Sequence, residues 1–335
     1  MTKDNVLAIL KNHTEYVSGE KISAMIGVSR MAVSAAVKSL REEGYEIASS
    51  TNKGYLLTNA PDLLNPGEIM GCLPKDNHSR LICLDTVDST NRYLKSLALN
   101  GAADRTVVIA NEQTAGKGRG GRSFCSPKNK GLYLSILLYP DRLYGNGTGM
   151  QLSDSLSLTA CTAVAVRNAI LESCGLETQI KWLNDLIAGG RKISGILTEM
   201  SVESESGRVE YVIIGIGINV NQEASDFDET LSCKASSLFL QSGKKQSRAG
   251  LAAALIRECN QIFDEFPKNI PSCLSLYRKY NITPGRNILL RRPDGDLRGR
   301  AVSVCDDFSL QAETEDGQII RICGGDLLQE GFCWE

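Results

Sequence analysis

Apolar positions in the first sixty residues repeat at helical spacing. Val6, Leu7, Ile9 and Leu10 predict a short amphipathic helix over 4–14. A second helix is predicted over 18–26, with Ser18 as its N-cap and Ile22, Met25 and Ile26 on one side. Gly27-Val28 marks a tight turn. Ser29 then caps a third helix, which points Val33, Val37 and Leu40 inward and stops at Gly44. After it the pattern becomes that of strands. Tyr45-Glu46-Ile47-Ala48 and Tyr55-Leu56-Leu57 flank Asn52-Lys53-Gly54, a hairpin signal.

Two polar stretches, Asn59-Ala60-Pro61-Asp62 and Asn65-Pro66-Gly67, predict a linker. Leu81-Ile82-Cys83-Leu84 opens a longer region as a strand. Asp85-Thr86-Val87-Asp88-Ser89-Thr90-Asn91 predicts a polar turn into a helix carrying Leu94, Leu97 and Ala98. Further strands are predicted at 106–110 and 131–138, and a long helix rich in Ala, Leu and Val at 152–173. Gln179-Ile180-Lys181-Trp182 leads to Asn184-Asp185 and a hairpin with Gly189-Gly190 at its tip. Lys192-Ile193-Ser194-Gly195-Ile196-Leu197 returns from it. Tyr211 through Asn219 forms another strand, and its Gly215 and Gly217 mark close approach of another group. Helices near 247–265 and 271–280 complete the region. Strands running into hairpins, with helices apart from them, predict an α+β domain with a mixed sheet. From Pro284 short strands are broken by Pro293-Asp294-Gly295, Asp306-Asp307, Asp316-Gly317 and Gly324-Gly325, a spacing that predicts a small β-barrel. The domains expected are 1–62, 63–283 and 284–335.

Composition narrows the function. At 335 residues, with 42% hydrophobic and 23% charged residues, the chain is long enough for two or three globular domains. A net charge of −2 gives no overall attraction to nucleic acid or membrane, so such binding needs a local patch. The polar start, Met1-Thr2-Lys3-Asp4-Asn5, predicts no export signal, and no apolar run nears the roughly 20 residues of a membrane span. A cytoplasmic location without membrane association is expected. The 11 cysteines include no Cys-x-x-Cys pair and are expected to be reduced thiols serving as small apolar residues. The two histidines, His13 and His78, both precede the long region, which excludes a local Ser-His-Asp triad or His-x-x-x-His metal site there.

Helix, tight turn, helix and hairpin at the N-terminus resemble a winged helix-turn-helix. The outward face of its third helix offers Arg30, Ser34, Ala35 and Lys38, small or cationic as a major groove requires, and Lys53 stands in the wing turn. The other reading is a helical protein-interaction module. Residues 1–60 hold seven Lys or Arg against six Asp or Glu. One copy is therefore expected to bind DNA weakly, and a dimer is expected.

Between the strands at 106–110 and 131–138 runs Gln113-Thr114-Ala115-Gly116-Lys117-Gly118-Arg119-Gly120-Gly121-Arg122, a bare and cationic loop suited to closing over an anion. Gly116-x-Gly118-x-x-Gly121 matches the dinucleotide fingerprint only formally, because Ser123-Phe124-Cys125-Ser126-Pro127 and a strand follow where a helix is needed. No Gly-Lys-Ser/Thr closes the stretch, so it is not a Walker A loop either.

Asp88-Ser89-Thr90-Asn91, Gln113 through Arg122, Lys181-Trp182-x-Asn184-Asp185, Arg191-Lys192-x-x-Gly195-Ile196-Leu197 and Gly215-x-Gly217-x-Asn219 occur in an order that resembles the bifunctional biotin–protein ligase and biotin operon repressor family. The likeness covers the whole chain. It implies a winged helix, a class-II-synthetase-like catalytic domain and an SH3-like barrel. It implies formation of biotinyl-5′-AMP from biotin and ATP with Mg²⁺, then transfer of biotin to a lysine of a biotin carboxyl carrier domain. It further implies repression at operator DNA by an adenylate-bound homodimer, with biotinyl-5′-AMP as corepressor. By the same resemblance Lys192 and Arg119 would be catalytic. Biotin would be bound by Ser89, Thr90, Asn91, Gln113, Gly116, Lys117, Gly118, Arg119, Lys192, Gly195, Gly215 and Gly217. The nucleotide would be bound by Lys117, Arg119, Arg122, Lys181, Trp182, Asn184 and Asn219, with Asp185 on Mg²⁺. Two positions depart from the family pattern. Leu183 stands where proline is usual, and Lys117 replaces the first arginine of the loop, which keeps the charge and loses the bidentate fork. The C-terminal segment receives no individual site residue. A lipoate–protein ligase and a biotin-sensing transcription factor without ligase activity remain as alternatives.

Overall fold

The structure is a computed structural model describing residues 2–74, 77–144, 150–203, 205, 207–292 and 295–330. The chain divides into two compact units, Met1–His78 with Ser247–Arg257, and Ser79–Gln246 with Glu258–Glu335. Among the described residues no helix is long and apolar enough to cross a membrane, and the ten cysteines are all free.

The first unit holds α1 (Thr2–Lys11), α2 (Gly19–Ile26), α3 (Arg30–Glu42), β1 (Glu46–Ser50), β2 (Gly54–Asn59) and α4 (Pro66–Met70). Its local signals act as expected. Ser18 and Ser29 accept from the backbone N–H of Lys21 and Ala32, and Gly27 ends α2 with φ 66°. Val6, Leu10, Ile22, Val33, Val37 and Leu40 form the core, closed by Tyr45 and Ile47. Two expectations fail. Met25 is 53% exposed, because only Ile22 of its face reaches the core fully. Asn65-Pro66-Gly67 is not linker: Asn65 caps Glu68 N–H, Pro66 takes the first turn, and α4 packs on α1.

The second unit begins with β3 (Arg80–Val87), α5 (Thr90–Leu99), β4 (Thr106–Gln113), β5 (Leu132–Leu138), α6 (Pro140–Tyr144) and α7 (Asp154–Cys174). It continues with β6 (Gln179–Lys181), β7 (Asp185–Ala188), β8 (Arg191–Val202), β9 (Val209–Ile218), α8 (Glu229–Ser232) and α9 (Leu238–Ser242). Then come α10 (Arg248–Glu265), whose start belongs to the first unit, and α11 (Ile270–Tyr280). Seven strands form one sheet in the order β3-β4-β5-β9-β8-β7-β6. Only β3 and β4 pair in parallel, so the sheet is mixed as predicted. Strand β3 absorbs Asp85-Thr86-Val87, which the sequence suggested was turn, and β4 extends to Gln113. The short helices α6, α8 and α9 have too few residues to show a period and were not anticipated. Helix α5 packs on β4, β5 and β9, while α7 packs on β7, β8 and α11.

β10 (Asn287–Arg291), β11 (Leu297–Val304), β12 (Leu310–Thr314), β13 (Ile319–Ile322) and β14 (Asp326–Gln329) make a second, antiparallel sheet in the order β13-β12-β11-β10-β14. Of the turn predicted at Pro293-Asp294-Gly295, the first two residues lie outside the described ones. The two sheets of this unit are joined through Trp182, whose Nε1 donates to the Phe308 carbonyl at 2.8 Å, and through Tyr277, which packs edge-on to the Phe308 ring.

Candidate active site

The glycine-rich loop is a small hairpin between β4 and β5. Gly118 N–H donates to the Arg122 carbonyl at 2.7 Å, and Phe124 N–H donates to the Gly116 carbonyl at 2.9 Å. Its tip is a single 3₁₀ turn over Arg119–Gly121, where Gly120 and Gly121 have φ of 64° and 78°. This turn sends the two arginines in different directions. Arg119 is half-buried and its Nη1 donates to Asn184 Oδ1 at 3.0 Å. Arg122 is exposed and pairs with Asp326 of β14 at 3.0 Å. Burial lowers the Arg119 pKa and the Asp185 charge opposes it. A guanidinium stays protonated at neutral pH regardless.

Beneath the loop lies a cavity of about 530 Å³. One end is built on the start of α5. Thr90 donates to Gln113 Oε1 from its backbone at 2.9 Å and from its hydroxyl at 3.0 Å. Gln113 Nε2 in turn donates to Ser126 Oγ at 2.9 Å. Asn91 Nδ2 donates to Glu199 Oε2 at 2.6 Å, and Ser135 Oγ lies 2.6 Å from Asn91 Oδ1. Thr90 and Asn91 are thus committed inside the protein, and Thr90 holds Gln113 in place. Ser89 is different. It occupies the N-cap position, is 2% exposed, and makes no side-chain capping bond. Its hydroxyl is available to a ligand beside the helix N-terminus.

The strand glycines are required sterically. A Cβ on Gly215 would stand 2.3 Å from Asn91 Oδ1, and one on Gly217 would stand 2.6 Å from the Phe124 ring. Register places both: Gly215 lies beside Ser135 and Gly217 beside Tyr133 and Gly195.

The other end is strongly cationic. Arg119, Arg122, Lys192, Lys234 and Arg291 line the cavity there with two carboxylates, Asp185 and Asp326, while Lys117 lies on the Ser89 and Asn91 side. Lys192 Nζ pairs with Asp185 Oδ1 at 2.5 Å. Burial alone would raise the Asp185 pKa; Lys192 and Lys181 outweigh it and hold the carboxyl below its usual range. Lys181, opposite Asp185 across the β6–β7 pair, is 3% exposed and donates to the Leu327 carbonyl at 3.3 Å. Burial pulls its pKa down to about 8 against the attraction of Asp185.

Asp185 does not fit the Mg²⁺ ligand suggested above. Its carboxylate is neutralised by Lys192 and sits in the field of Lys181 and Arg122. Among the described residues no group of three or more His, Cys, Asp or Glu is placed to hold a metal ion. Mg²⁺ bound through substrate phosphates and water would need fewer protein ligands.

Of the residues singled out in the sequence, Ser89, Thr90, Asn91, Gln113, Lys117, Gly118, Arg119, Arg122, Asn184, Asp185, Lys192, Gly195, Gly215, Gly217 and Asn219 line one cavity. Gly116, Lys181 and Trp182 do not. Gly116 is packed under Phe124 and Ser126, and Trp182 is buried against the C-terminal sheet. Leu183 is buried, follows a cis Trp182–Leu183 peptide, and its carbonyl accepts from Tyr277 OH at 2.9 Å. Asn219 is committed to the Ser236 carbonyl at 2.9 Å. The sequence missed Phe124, Phe227, Leu231 and Lys234, and also Arg291, Asp326 and Leu328 of the C-terminal sheet. Phe124 alone had a signal, as the first aromatic after the glycine loop.

In the first unit, Arg30, Ser34, Ala35 and Lys38 are all exposed on one face of α3, and Lys53 is exposed in the β1–β2 turn.

Residues 83–219 match the biotin/lipoate A/B protein ligase family, and residues 2–56 match a helix-turn-helix domain. The chain is 36% identical over 329 residues to the bifunctional ligase/repressor BirA of Bacillus subtilis, covering 98% of each. It is 30% identical over 332 residues to the protein of that name in Escherichia coli, covering 97% of this chain and 98% of that one. The biotin protein ligase of Aquifex aeolicus, solved with biotin and ATP, superposes with a TM-score of 0.62 at 27% identity, covering 75% of this chain and 98% of that one. A helix-turn-helix unit ahead of a ligase fold, matched end to end by such relatives, is what places the chain in the family of bifunctional ligase/repressors.

Proposed function

We propose that the protein joins biotin to ATP as biotinyl-5′-AMP, transfers the biotinyl group to a lysine of a biotin carboxyl carrier domain, and represses transcription from operator DNA in its adenylate-bound form. The proposed domains are DNA-binding (1–62), ligase (63–283) and C-terminal (284–335). The observation that carries the ligase reading is the asymmetry of the cavity. Five cations gather with two carboxylates at one end, and Ser89, an N-cap residue free of any capping bond, stands beside a fixed Gln113 at the other. A ligand with a ureido ring and a carboxylate, extended by a nucleotide, matches both ends.

In the first step a biotin carboxylate oxygen attacks the α-phosphorus of ATP. A P–O bond forms, the α–β bridge breaks, and diphosphate leaves. Two anions must meet, so the cationic end offsets their repulsion and the charge spreading over the phosphoryl oxygens. Lys192 and Arg119 supply this, Lys192 oriented by Asp185 and Arg119 by the neighbouring Asn184. Lys117 and Arg122 reach in from the loop. Ser89 and Gln113 pair the ureido group, whose polar atoms are expensive to bury unpaired. In the second step the acceptor amine attacks the acyl carbon and gives up a proton, and AMP leaves. A bound Mg²⁺ would add further screening of the phosphates.

Incubation of the protein with a carrier domain, biotin, ATP and Mg²⁺, followed by a streptavidin blot, tests this. A biotin-dependent band is expected, and none with lipoate as substrate. Absence of transfer despite biotin binding would leave a sensor without ligase activity. For repression, gel shifts with upstream DNA should tighten when biotin and ATP are added together, and the protein should become dimeric.

A further inference from the structure

The exposed face of α3 carries one residue that neither charge nor packing accounts for. Met31 is 84% exposed, more than any other large apolar side chain among the described residues. It heads a stripe at helical spacing with Ser34, Ala35 and Lys38, all exposed, and Arg30 stands beside it. The stripe is shaped for close approach. Ser34 and Ala35 are short, so the α3 backbone can come near a surface, while Met31 and Lys38 project at its two ends. Met31 lies in the first turn after the Ser29 cap, and residues there contact base edges when a recognition helix enters a major groove. The only apolar feature in that groove is the 5-methyl group of thymine. Methionine is unbranched and polarisable, and it adapts to such a contact.

We propose that Met31 reads a thymine of the operator through an apolar contact with its 5-methyl group. This rests on the operator-binding reading above. Arg30, Lys38 and Lys53 supply charge to the backbone and fix the register; Met31 supplies sequence discrimination that a charge cannot.

The test uses the full-length protein with biotin and ATP, and a duplex enriched by it from a randomised library. Each thymine in the bound site is replaced singly by deoxyuridine, which deletes only the methyl group. The wild type should bind about fourfold more weakly at one such position, the effect of one buried methyl group. Met31→Ala should lose a similar factor on the thymine duplex and almost nothing more on the uracil duplex. Met31→Leu should keep most of the discrimination. The salt dependence of binding should be the same for all three proteins, since no charge changes. The proposal is overturned if the wild type is indifferent to uracil at every position, or if Met31→Ala keeps the full uracil penalty. It is also overturned if Met31→Ala changes dimerisation instead, which would make Met31 a protein contact. Failure to enrich any duplex would sink the operator-binding reading itself, and this proposal with it.

Discussion

Replacing Gly215 with alanine puts a methyl group where the Asn91 amide already is. The new Cβ would lie 2.3 Å from Asn91 Oδ1 and 2.9 Å from its Cγ, so the oxygen contact is about 1 Å short of van der Waals distance. Gly215 has ordinary strand geometry, and alanine suits that backbone; the whole effect falls on Asn91. That residue is buried in the first turn of α5 and cannot shift as a helix without disturbing Thr90 and Gln113. Its side chain must rotate away instead. It then loses a charge-assisted bond to Glu199 and one to Ser135, together about 2–4 kcal/mol. If half of this falls on ligand binding, the KM for biotin rises about tenfold. ATP–diphosphate exchange as a function of biotin concentration measures it. In an Asn91→Ala background there is no amide to meet, and alanine at 215 should then cost less than about 0.5 kcal/mol. A single variant with KM within about twofold of wild type, or an undiminished penalty in the Asn91→Ala background, refutes the steric account.

Lys192→Ala should slow single-turnover adenylate formation at least about tenfold, from loss of a charge-assisted contact of roughly 1.5–3 kcal/mol; near-normal adenylation would remove Lys192 from the chemistry. Trp182→Phe should lower the melting temperature through an unpaired Phe308 carbonyl costing about 1–3 kcal/mol, while KM for ATP stays within about twofold; a large KM change would restore a nucleotide role. Lys181 gives a pH dependence with a definite sign. Its folded pKa of about 8 lies below the ordinary lysine value, so the unfolded chain binds more protons from about 8 to about 10.5, and stability gains from Lys181 as pH rises through that window. Urea denaturation at both ends of it should show wild type gaining up to about 3 kcal/mol relative to Lys181→Met; no difference between the two proteins would mean that Lys181 is not held at a lowered pKa. Ser29→Ala should destabilise α3 by about 1 kcal/mol, read as weaker DNA binding with unchanged ligase activity.

Much of this arrangement is legible in the chain. Helix caps at Ser18 and Ser29, the Gly27 turn and the Gly189-Gly190 hairpin are local signals, and local chemistry determines them. The loop cations and the strand glycines were visible as residue types out of place in a strand or a turn. What escaped was set by tertiary contact. Lys181 and Trp182 belong to a motif beside the cavity, yet they are directed to Leu327 and Phe308 of a sheet more than a hundred residues later. Arg291, Asp326 and Leu328 reach the cavity for the same reason, and short strands with loose patterning announce none of it. Pro66 reads as a linker mark in the sequence because proline ends helices more visibly than it starts them, although the first turn tolerates it well.

The register of β7, β8 and β9 bears on how this site can change. Asp185 faces Gly195, Gly195 faces Gly217, and Gly217 faces Tyr133, so four residues from distant parts of the chain stand in one row across the sheet. Insertion or deletion of a single residue in any of these strands would turn every later side chain of that strand to the opposite face. The row can therefore accept no change of length, and its glycines leave little room for side chains either. Variation in chain length must fall in the turns, and an inserted tag or reporter domain belongs at the Gly189-Gly190 tip, where the chain can lengthen without moving the row.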